Sequence, residues 1–461
     1  MKRILNNEVE DKIGEEVSVS GWIDSVRAHG KILFLDLRDR TGLLQVVVNV
    51  EDFESSSDLR PEWVVEITGK IKERPESMIN SDIVSGRVEM KAEKIDILNK
   101  AKTPPFQLDE DGLAVSEDLR MKYRYLDIRR KRMQSNLRYR HKCSHFLRQF
   151  LSKKDFIEVE TPILTKSTPE GARDFLVPSR KQPGSFYALP QSPQQYKQLL
   201  MVGGIERYFQ FARCFRDEDI RADRQAEFTQ LDIEMSFVDR GEVLELVENM
   251  FVSLVEEIFP NKNITKKEFP RISHKEAIDR WGTDCPDLRN DKSDEDELAF
   301  GFIVDFPMFE KFEGGYRAEH HPFTKPKGTP EEVVNNTEDL KSFQYDLVLN
   351  GHEVGGGSIR THDPKMLEAI FQVLGHSKEE IRNKFGHLLE AFEYGAPPHG
   401  GIAFGFERLL MILLNEDNIR EVMTFPKTGD GRGLMMKTPS DDISKEQLAE
   451  LHISKLNMDE D

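Results

Sequence analysis

Apolar and polar residues alternate with a period of two along five short stretches near the start of the chain, residues 17–22, 32–38, 43–49, 63–72 and 88–98. Such alternation sends one row of side chains inward and the other outward, the pattern of a half-buried β-strand. Turn chemistry separates the stretches at Arg40-Thr41-Gly42 and around Ser85-Gly86. Five short strands with a glycine-bearing turn predict a barrel of OB-fold type over residues 1–102, an architecture that serves as a platform for single-stranded nucleic acid. Thr103-Pro104-Pro105-Phe106 then opens a linker reaching residue 125, and a larger α+β unit is expected over residues 126–461. Periodic apolar positions predict a long helix over residues 128–151, leading into Phe156-Ile157-Glu158-Val159-Glu160-Thr161-Pro162, a strand ended by proline.

A second alternating pair lies further on. Tyr208, Phe209, Phe211, Cys214 and Phe215 precede a loop dense in charge, and Phe228-Thr229-Gln230-Leu231-Asp232-Ile233-Glu234 follows it. This predicts two antiparallel strands joined by a long loop that carries Arg216, Glu218, Arg221, Arg224 and Gln225. A guanidinium at a strand end clamps phosphate oxygens bidentately, and Phe228 offers a base a stacking surface.

Bulk properties narrow the partners. The 461 residues exceed what a single small domain needs. A formal net charge of −18 argues against a generic nucleic-acid coat. Residues 120–142 nevertheless hold ten Lys/Arg and a single acid, Asp127. That run reads either as a solvated helix face or as a surface toward RNA or a second subunit. No apolar stretch is long enough to span a membrane, the N-terminus lacks an export signal, and Cys143, Cys214 and Cys285 lie far apart. These features place the chain in a reducing cytoplasm.

Phe215-Arg216-Asp217-Glu218 resembles motif 2 of the class II aminoacyl-tRNA synthetases. With Gln191-Ser192-Pro193-Gln194-Gln195-Tyr196-Lys197, the chain is similar to the bacterial-type aspartyl-tRNA synthetase family in particular. The helix and strand of 128–162 resemble motif 1, which implies a homodimer. Gly400-Gly401-Ile402-Ala403-Phe404-Gly405-Phe406-Glu407-Arg408 resembles motif 3. The implied fold is α+β: an N-terminal OB-fold β-barrel plus a class II antiparallel sheet flanked by helices. No Gly-x-Gly-x-x-Gly after a strand points to a dinucleotide fold instead.

The resemblance implies roles residue by residue. ATP falls to Arg216, Asp217, Glu218, Gln225, Phe228, Glu353, Gly405, Phe406, Glu407 and Arg408, with Arg216, Glu218 and Arg408 catalytic. Asp346 and Glu353 are assigned to Mg²⁺, which prefers few protein carboxylates and many phosphate or water oxygens. L-aspartate falls to Glu170, Ser192, Gln194, Lys197, Arg216, Asp232, His320 and Arg360. Arginine suits a side-chain carboxylate and meets an amide poorly, which favours aspartate over asparagine. In the barrel, Arg27, His29, Phe34 and Gln45 fall where the family reads the anticodon of tRNA-Asp. His29-Gly30 resembles relaxed enzymes that also charge tRNA-Asn, although Ser77 stands where those relatives often have glycine.

The implied reaction is two-step: aspartate attacks the α-phosphorus of ATP, and tRNA then captures the aspartyl group. One departure is expected. Bacterial relatives usually carry an inserted domain in the region near 240–298, which here is bridged by the acidic residues 290–297. Competing readings are an asparaginyl-tRNA synthetase, a non-catalytic RNA-binding paralogue and a ligase that needs no tRNA.

Overall fold

A computed structural model of the chain describes residues 2–53, 58–167 and 171–455. Two compact units divide it, Met1–Gln107 and Leu108–Asp461.

In the smaller unit, five strands (Glu16–His29, Ile32–Arg38, Leu43–Asn49, Val64–Glu73 and Val88–Asn99) pair in sequence through the third. The fifth lies between the third and fourth, and the fourth pairs back onto the first to close the barrel. Inward rows such as Val17, Val19, Leu35, Val46, Ile67 and Met90 fill its interior. The first strand runs to His29, well beyond residue 22. A bulge shifts its register between Ile23 and Ser25. The alternation changes phase there, which is why the hydrophobic pattern loses the strand halfway.

The larger unit is built on an eight-stranded sheet. Its order is Arg271–Ser273, Phe300–Val304, Gln344–Leu349, His352–Ile359, His399–Gly405, Glu227–Ser236, Arg207–Phe215 and Ile157–Glu158. The six central strands are antiparallel, and the outermost strand on each side joins parallel. Helices Lys131–Ser152, Arg240–Ile258 and Phe406–Leu413 contribute to one core with Leu231, Ile233, Ile402 and Phe404 of the sheet. Residues 240–298 therefore do more than bridge a shortened insertion, because Val247, Phe251 and Leu254 of their helix sit in the main core. Residues 290–296 are exposed as expected. Glu297 is buried and closes that loop by accepting the backbone N–H groups of Asn290 and Asp291 at 2.9 and 2.8 Å. No helix among the described residues is long and apolar enough to cross a membrane.

The buried arginines of the basic run are part of the interior, while Lys122, Lys131, Arg138 and Lys142 are exposed. Asp127, fully buried, pairs with Arg120, Arg124 and Arg130. Arg120 and Arg132 share Glu421, Arg132 also reaches Glu416, and Arg124 donates to the carbonyls of Arg420, Met423 and Thr424. Buried arginines must be paired, and beyond Asp127 the acids that serve this run come from some 300 residues away in sequence. Short helices Glu117–Lys122 and Arg124–Asp127 thus belong to the larger unit, although the sequence placed 103–125 in a linker. Asp127→Ala is expected to destabilise that unit by about 3–5 kcal/mol, since it strands buried cations. Denaturant unfolding followed by tryptophan fluorescence and circular dichroism checks this.

Candidate active site

The strand Glu227–Ser236 separates core from chemistry by its period of two. Leu231, Ile233 and Met235 face the helices. Phe228, Gln230, Asp232 and Glu234 take the opposite face. The first three of these line a cavity of about 320 Å³. Arg207–Phe215 pairs antiparallel with this strand through Phe215 and Glu227, so residues 216–226 form the predicted charged loop.

Four buried charges meet at the floor. Lys197 Nζ lies 3.0 Å from Asp232 Oδ2 and 3.1 Å from Glu234 Oε2. Arg360 grips Glu234 with two bonds of 2.9 and 3.0 Å. Burial, only partly offset by Lys197, raises the Asp232 carboxyl to about 6. Burial pushes Glu234 up as well, but Arg360 and Lys197 outweigh it and bring that carboxyl down to about 2. Gly401 makes room for this: a Cβ there would lie 2.2 Å from Glu234 Oε2. Arg360 has further donor capacity, reaching Ser358 Oγ at 2.8 Å and His321 Nε2 at 2.7 Å.

Arginines stand toward the mouth. The Arg216 guanidinium lies 5.2 Å over the Phe228 ring, and Glu218 pairs with Arg224 at 3.0 Å. Arg408 donates to the Glu353 carbonyl at 2.6 Å and pairs with Asp223 at 3.0 Å. Ser192, Gln194, His320 and Gly405 line the same cavity.

Several expected ATP residues are placed otherwise. Asp217 is exposed and outside the cavity lining, and its backbone N–H bonds the Arg173 carbonyl. Phe406 is a core residue that packs edge-on against Phe211. Glu407 borders the cavity, but its carboxylate is held by Arg140 at 2.7 Å and the Thr229 N–H at 2.9 Å. Gln225 also borders it, while both ends of its amide are engaged by the backbone of Lys427. Glu170 lies outside the described residues.

Asp346 and Glu353 lie on neighbouring strands joined by the tight turn Asn350-Gly351. Burial and the adjacent Glu353 push the Asp346 carboxyl well above the usual range. Its only bonds among the described residues are long contacts of 3.4 and 3.5 Å from Gln344. Beside them Gly356 leaves a hydrogen-sized gap, where a Cβ would meet His320 Cε1 at 3.0 Å, Asp346 Oδ1 at 3.1 Å and Glu353 Oε1 at 3.3 Å. Two carboxylates with little protein counter-charge around an open pocket fit a hard divalent cation.

The barrel presents a separate polar face. Phe34 is half-exposed and pairs across the ladder with Arg27 and Val47. Arg27 bridges Asp36, and Gln45 donates to Glu89 at 2.9 Å. His29 is exposed at the strand end beside Gly30, which turns with φ 61°.

Sequence reasoning gave no role to Glu234 or, in the barrel, to Arg74 and Glu89, and it named His321 and Asp223 without assigning either a function. Glu234 was within reach, since it continues the 228–230–232 row. Arg74 was not. It is buried, donates to the Val88 carbonyl, and feels Glu89, Asp36 and Arg27 only because the barrel closes.

Residues 116–429 match the family described as tRNA synthetases class II (D, K and N), and residues 17–98 match the OB-fold nucleic acid binding domain. The chain is similar to the aspartate--tRNA(Asp/Asn) ligase of Natranaerobius thermophilus, at 41% identity covering 96% of this chain and 97% of the relative. It is 39% identical to the aspartate--tRNA ligase of Oceanobacillus iheyensis, covering 98% of each. Among solved structures it is similar to asparaginyl-tRNA synthetase from Pyrococcus horikoshii complexed with asparaginyl-adenylate, with TM-score 0.74 and 25% identity over 93% of this chain and 98% of that one. The first alignment spans 571 positions against 461 residues here, so that relative carries residues with no counterpart in this chain.

The buried acids give stability a defined pH dependence. An unfolded aspartate titrates near 3.9. With Asp232 raised to about 6, the folded state binds the extra proton between those values. Its contribution to stability therefore falls as pH rises from about 4 to 6 and is level above that. Glu234 acts oppositely, stabilising above its unfolded pKa and losing that stabilisation as pH falls toward 2. Comparing unfolding free energies of wild type and Asp232→Asn across pH 4–7 should show a difference that changes below pH 6 and stays flat above it.

Proposed function

Because the chain belongs to the class II tRNA synthetases of the D, K and N group, we propose that it ligates L-aspartate to tRNA-Asp through aspartyl-adenylate. The aspartate α-carboxylate attacks the α-phosphorus of ATP, forming the acyl–phosphate bond as the bond to pyrophosphate breaks. A 3′-terminal ribose hydroxyl of the tRNA then attacks the acyl carbonyl, and AMP leaves. Arg216 stabilises charge on the α-phosphate and Arg408 takes the outer phosphates, so catalysis is positioning plus electrostatic stabilisation. Asp346 and Glu353 would hold Mg²⁺, which neutralises phosphate charge when bound.

The observation that carries aspartate as the substrate is buried Arg360 in the cavity lining, held against His321. His321 Nδ1 lies 3.1 Å from the Phe323 N, and Arg360 donates to Nε2 at 2.7 Å. Burial holds this imidazole neutral, so it has one N–H and cannot accept at both nitrogens. Arg360 has no acceptor, so its contact makes Nε2 the acceptor, and the guanidinium offers the cavity donors only. A carboxylate accepts from that guanidinium, whereas the NH₂ of asparagine would set a donor against it. This separates the aspartyl from the asparaginyl reading. The paired arginines and acids at the cavity are more than an RNA-binding module requires.

On the barrel face Phe34 stacks an unpaired base, with Arg27, Gln45 and His29 beside it to contact the anticodon. His29-Gly30 and the relative named for both tRNAs support charging of tRNA-Asn as well. A homodimer is supported by exposed Ile163, Leu164, Leu176 and Phe186, which surround the short ladder of Leu176–Pro178 and Phe186–Ala188. Cys143, Cys214 and Cys285 form no disulfide among the described residues, which suits a cytoplasmic protein.

Charging assays with labelled aspartate and purified tRNA-Asp and tRNA-Asn test this directly. ATP-dependent charging of tRNA-Asp is expected, with charging of tRNA-Asn reporting relaxed anticodon reading; no charging of either would overturn the enzyme assignment. Arg216→Ala is expected to slow aspartate-dependent ATP–pyrophosphate exchange by roughly 10²–10³-fold. Sedimentation velocity should find a dimer that Leu164→Asp weakens.

A further inference from the structure

A line of hydrogen bonds runs beneath the cavity through residues that no step above uses. His399, which opens the strand His399–Gly405, has Nδ1 2.8 Å from the Pro397 carbonyl and Nε2 3.1 Å from Gln198 Nε2. Gln198 Oε1 in turn lies 3.0 Å from Gln194 Nε2. Gln194 and Gln198 sit four residues apart on the helix Gln194–Val202 and so share a face. His399 and Gln198 are fully buried, and Gln194 is 5% exposed.

Direction in this line follows from chemistry alone. A carbonyl only accepts, so the Pro397 oxygen requires the proton on His399 Nδ1. Burial brings the His399 pKa down to about 4, so near neutral pH the ring has a single N–H and Nε2 must accept. Gln198 therefore turns its NH₂ to His399 and its oxygen to Gln194. Gln194 must then turn its NH₂ to Gln198, which leaves its own oxygen for the cavity. Among the described residues nothing donates to that oxygen, and it is not sealed from the cavity. A second acceptor awaits there: Asp232 Oδ1 is buried with no partner among the described residues. Two unmatched acceptors in one cavity call for a donor-rich cation.

We propose that His399 and Gln198 are positioning residues whose fixed hydrogen-bond polarity holds the Gln194 carbonyl oxygen toward the α-ammonium group of the amino-acid substrate. This deepens the aspartate reading of the cavity and rests on it. The Pro397 carbonyl sets the tautomer, the tautomer sets Gln198, and Gln198 keeps Gln194 from offering its NH₂ to an ammonium. Gln198→Met keeps the length and apolar stem of the side chain while removing that instruction.

Equilibrium binding of aspartate and of succinate, which is aspartate without its ammonium group, separates positioning from general disruption. For Gln198→Met and His399→Phe the aspartate Kd should rise roughly tenfold, the worth of a hydrogen bond to a charged group. Succinate and ATP should stay within about twofold of wild type. Equal weakening of aspartate and succinate, or no change in either, overturns the relay. Gln194→Met is the control: if it leaves aspartate affinity unchanged, the ammonium reading of the cavity fails rather than the relay alone. Nitrogen-15 shifts of the wild-type histidines need no variant to fold. They should show His399 protonated at Nδ1, and a proton at Nε2 would sink the proposal.

Discussion

Four charges buried under one sheet face, Lys197, Asp232, Glu234 and Arg360, constrain most of what surrounds them. Unpaired, each would cost several kcal/mol to remove from water, so the arrangement is tolerable only when all four meet at hydrogen-bond distance. They come from a helix at 194–202, one strand at 227–236 and the end of another at 352–359. Those segments are far apart in sequence and must be held in register to fractions of an ångström. The surrounding structure answers with an antiparallel ladder whose back row is packed on helices and with Gly401, where any side chain would occupy the Glu234 carboxylate. With two acids against two bases the floor has no formal net charge, so it can orient the ammonium and carboxylates of a ligand through separate partners.

The mouth of the cavity is fixed by a different set of charges. Residues 416–427 have one side clamped by Arg120, Arg124 and Arg132. From the other side they hold the charged loop: the Ile419 N–H bonds the Ala222 carbonyl, and Lys427 takes both ends of the Gln225 amide. That loop carries Asp223 to Arg408 and Arg224 to Glu218. The buried arginines of that run are thus a brace, two contacts removed from Arg408 at the cavity. Glu407 belongs to the same scaffold through Arg140.

What could be read in the sequence follows from the range over which each feature is determined. Strands 32–38 and 43–49 were legible because a period of two is local, and residues 207–237 because two alternating runs flank one loop. The barrel's first strand was legible only up to its bulge. Arg216, Lys197, Asp232, Arg360 and Arg408 were found by motif and do line or floor the cavity. Gln225 and Glu407 carry the right chemistry at the right place, yet their polar atoms are engaged by partners some 200 residues away. The arginines of 120–132 were misread for the same reason, since Glu416 and Glu421 announce nothing locally. Long-range pairing decides whether a charged side chain is a tool or a brace, and pairing is what one sequence does not display.

Selection in this cavity then rests on the sense of its hydrogen bonds more than on its net charge. Aspartate and asparagine have nearly the same shape and share the same ammonium and α-carboxylate. They differ in one group that either only accepts or also donates. A site can tell these apart only if its own polar groups cannot turn round to suit the wrong ligand. Guanidinium cannot turn round, because it has no acceptor. An imidazole can, unless one nitrogen is already committed, as His321 Nε2 is to Arg360. An amide can as well, unless its neighbour is fixed; Gln198 so fixes Gln194, whose oxygen serves the ammonium that both ligands share. Buried partners that look redundant at a second layer therefore do necessary work: they remove the freedom that would let the site accommodate an amide, at which point the unpaired donor carries its full desolvation cost.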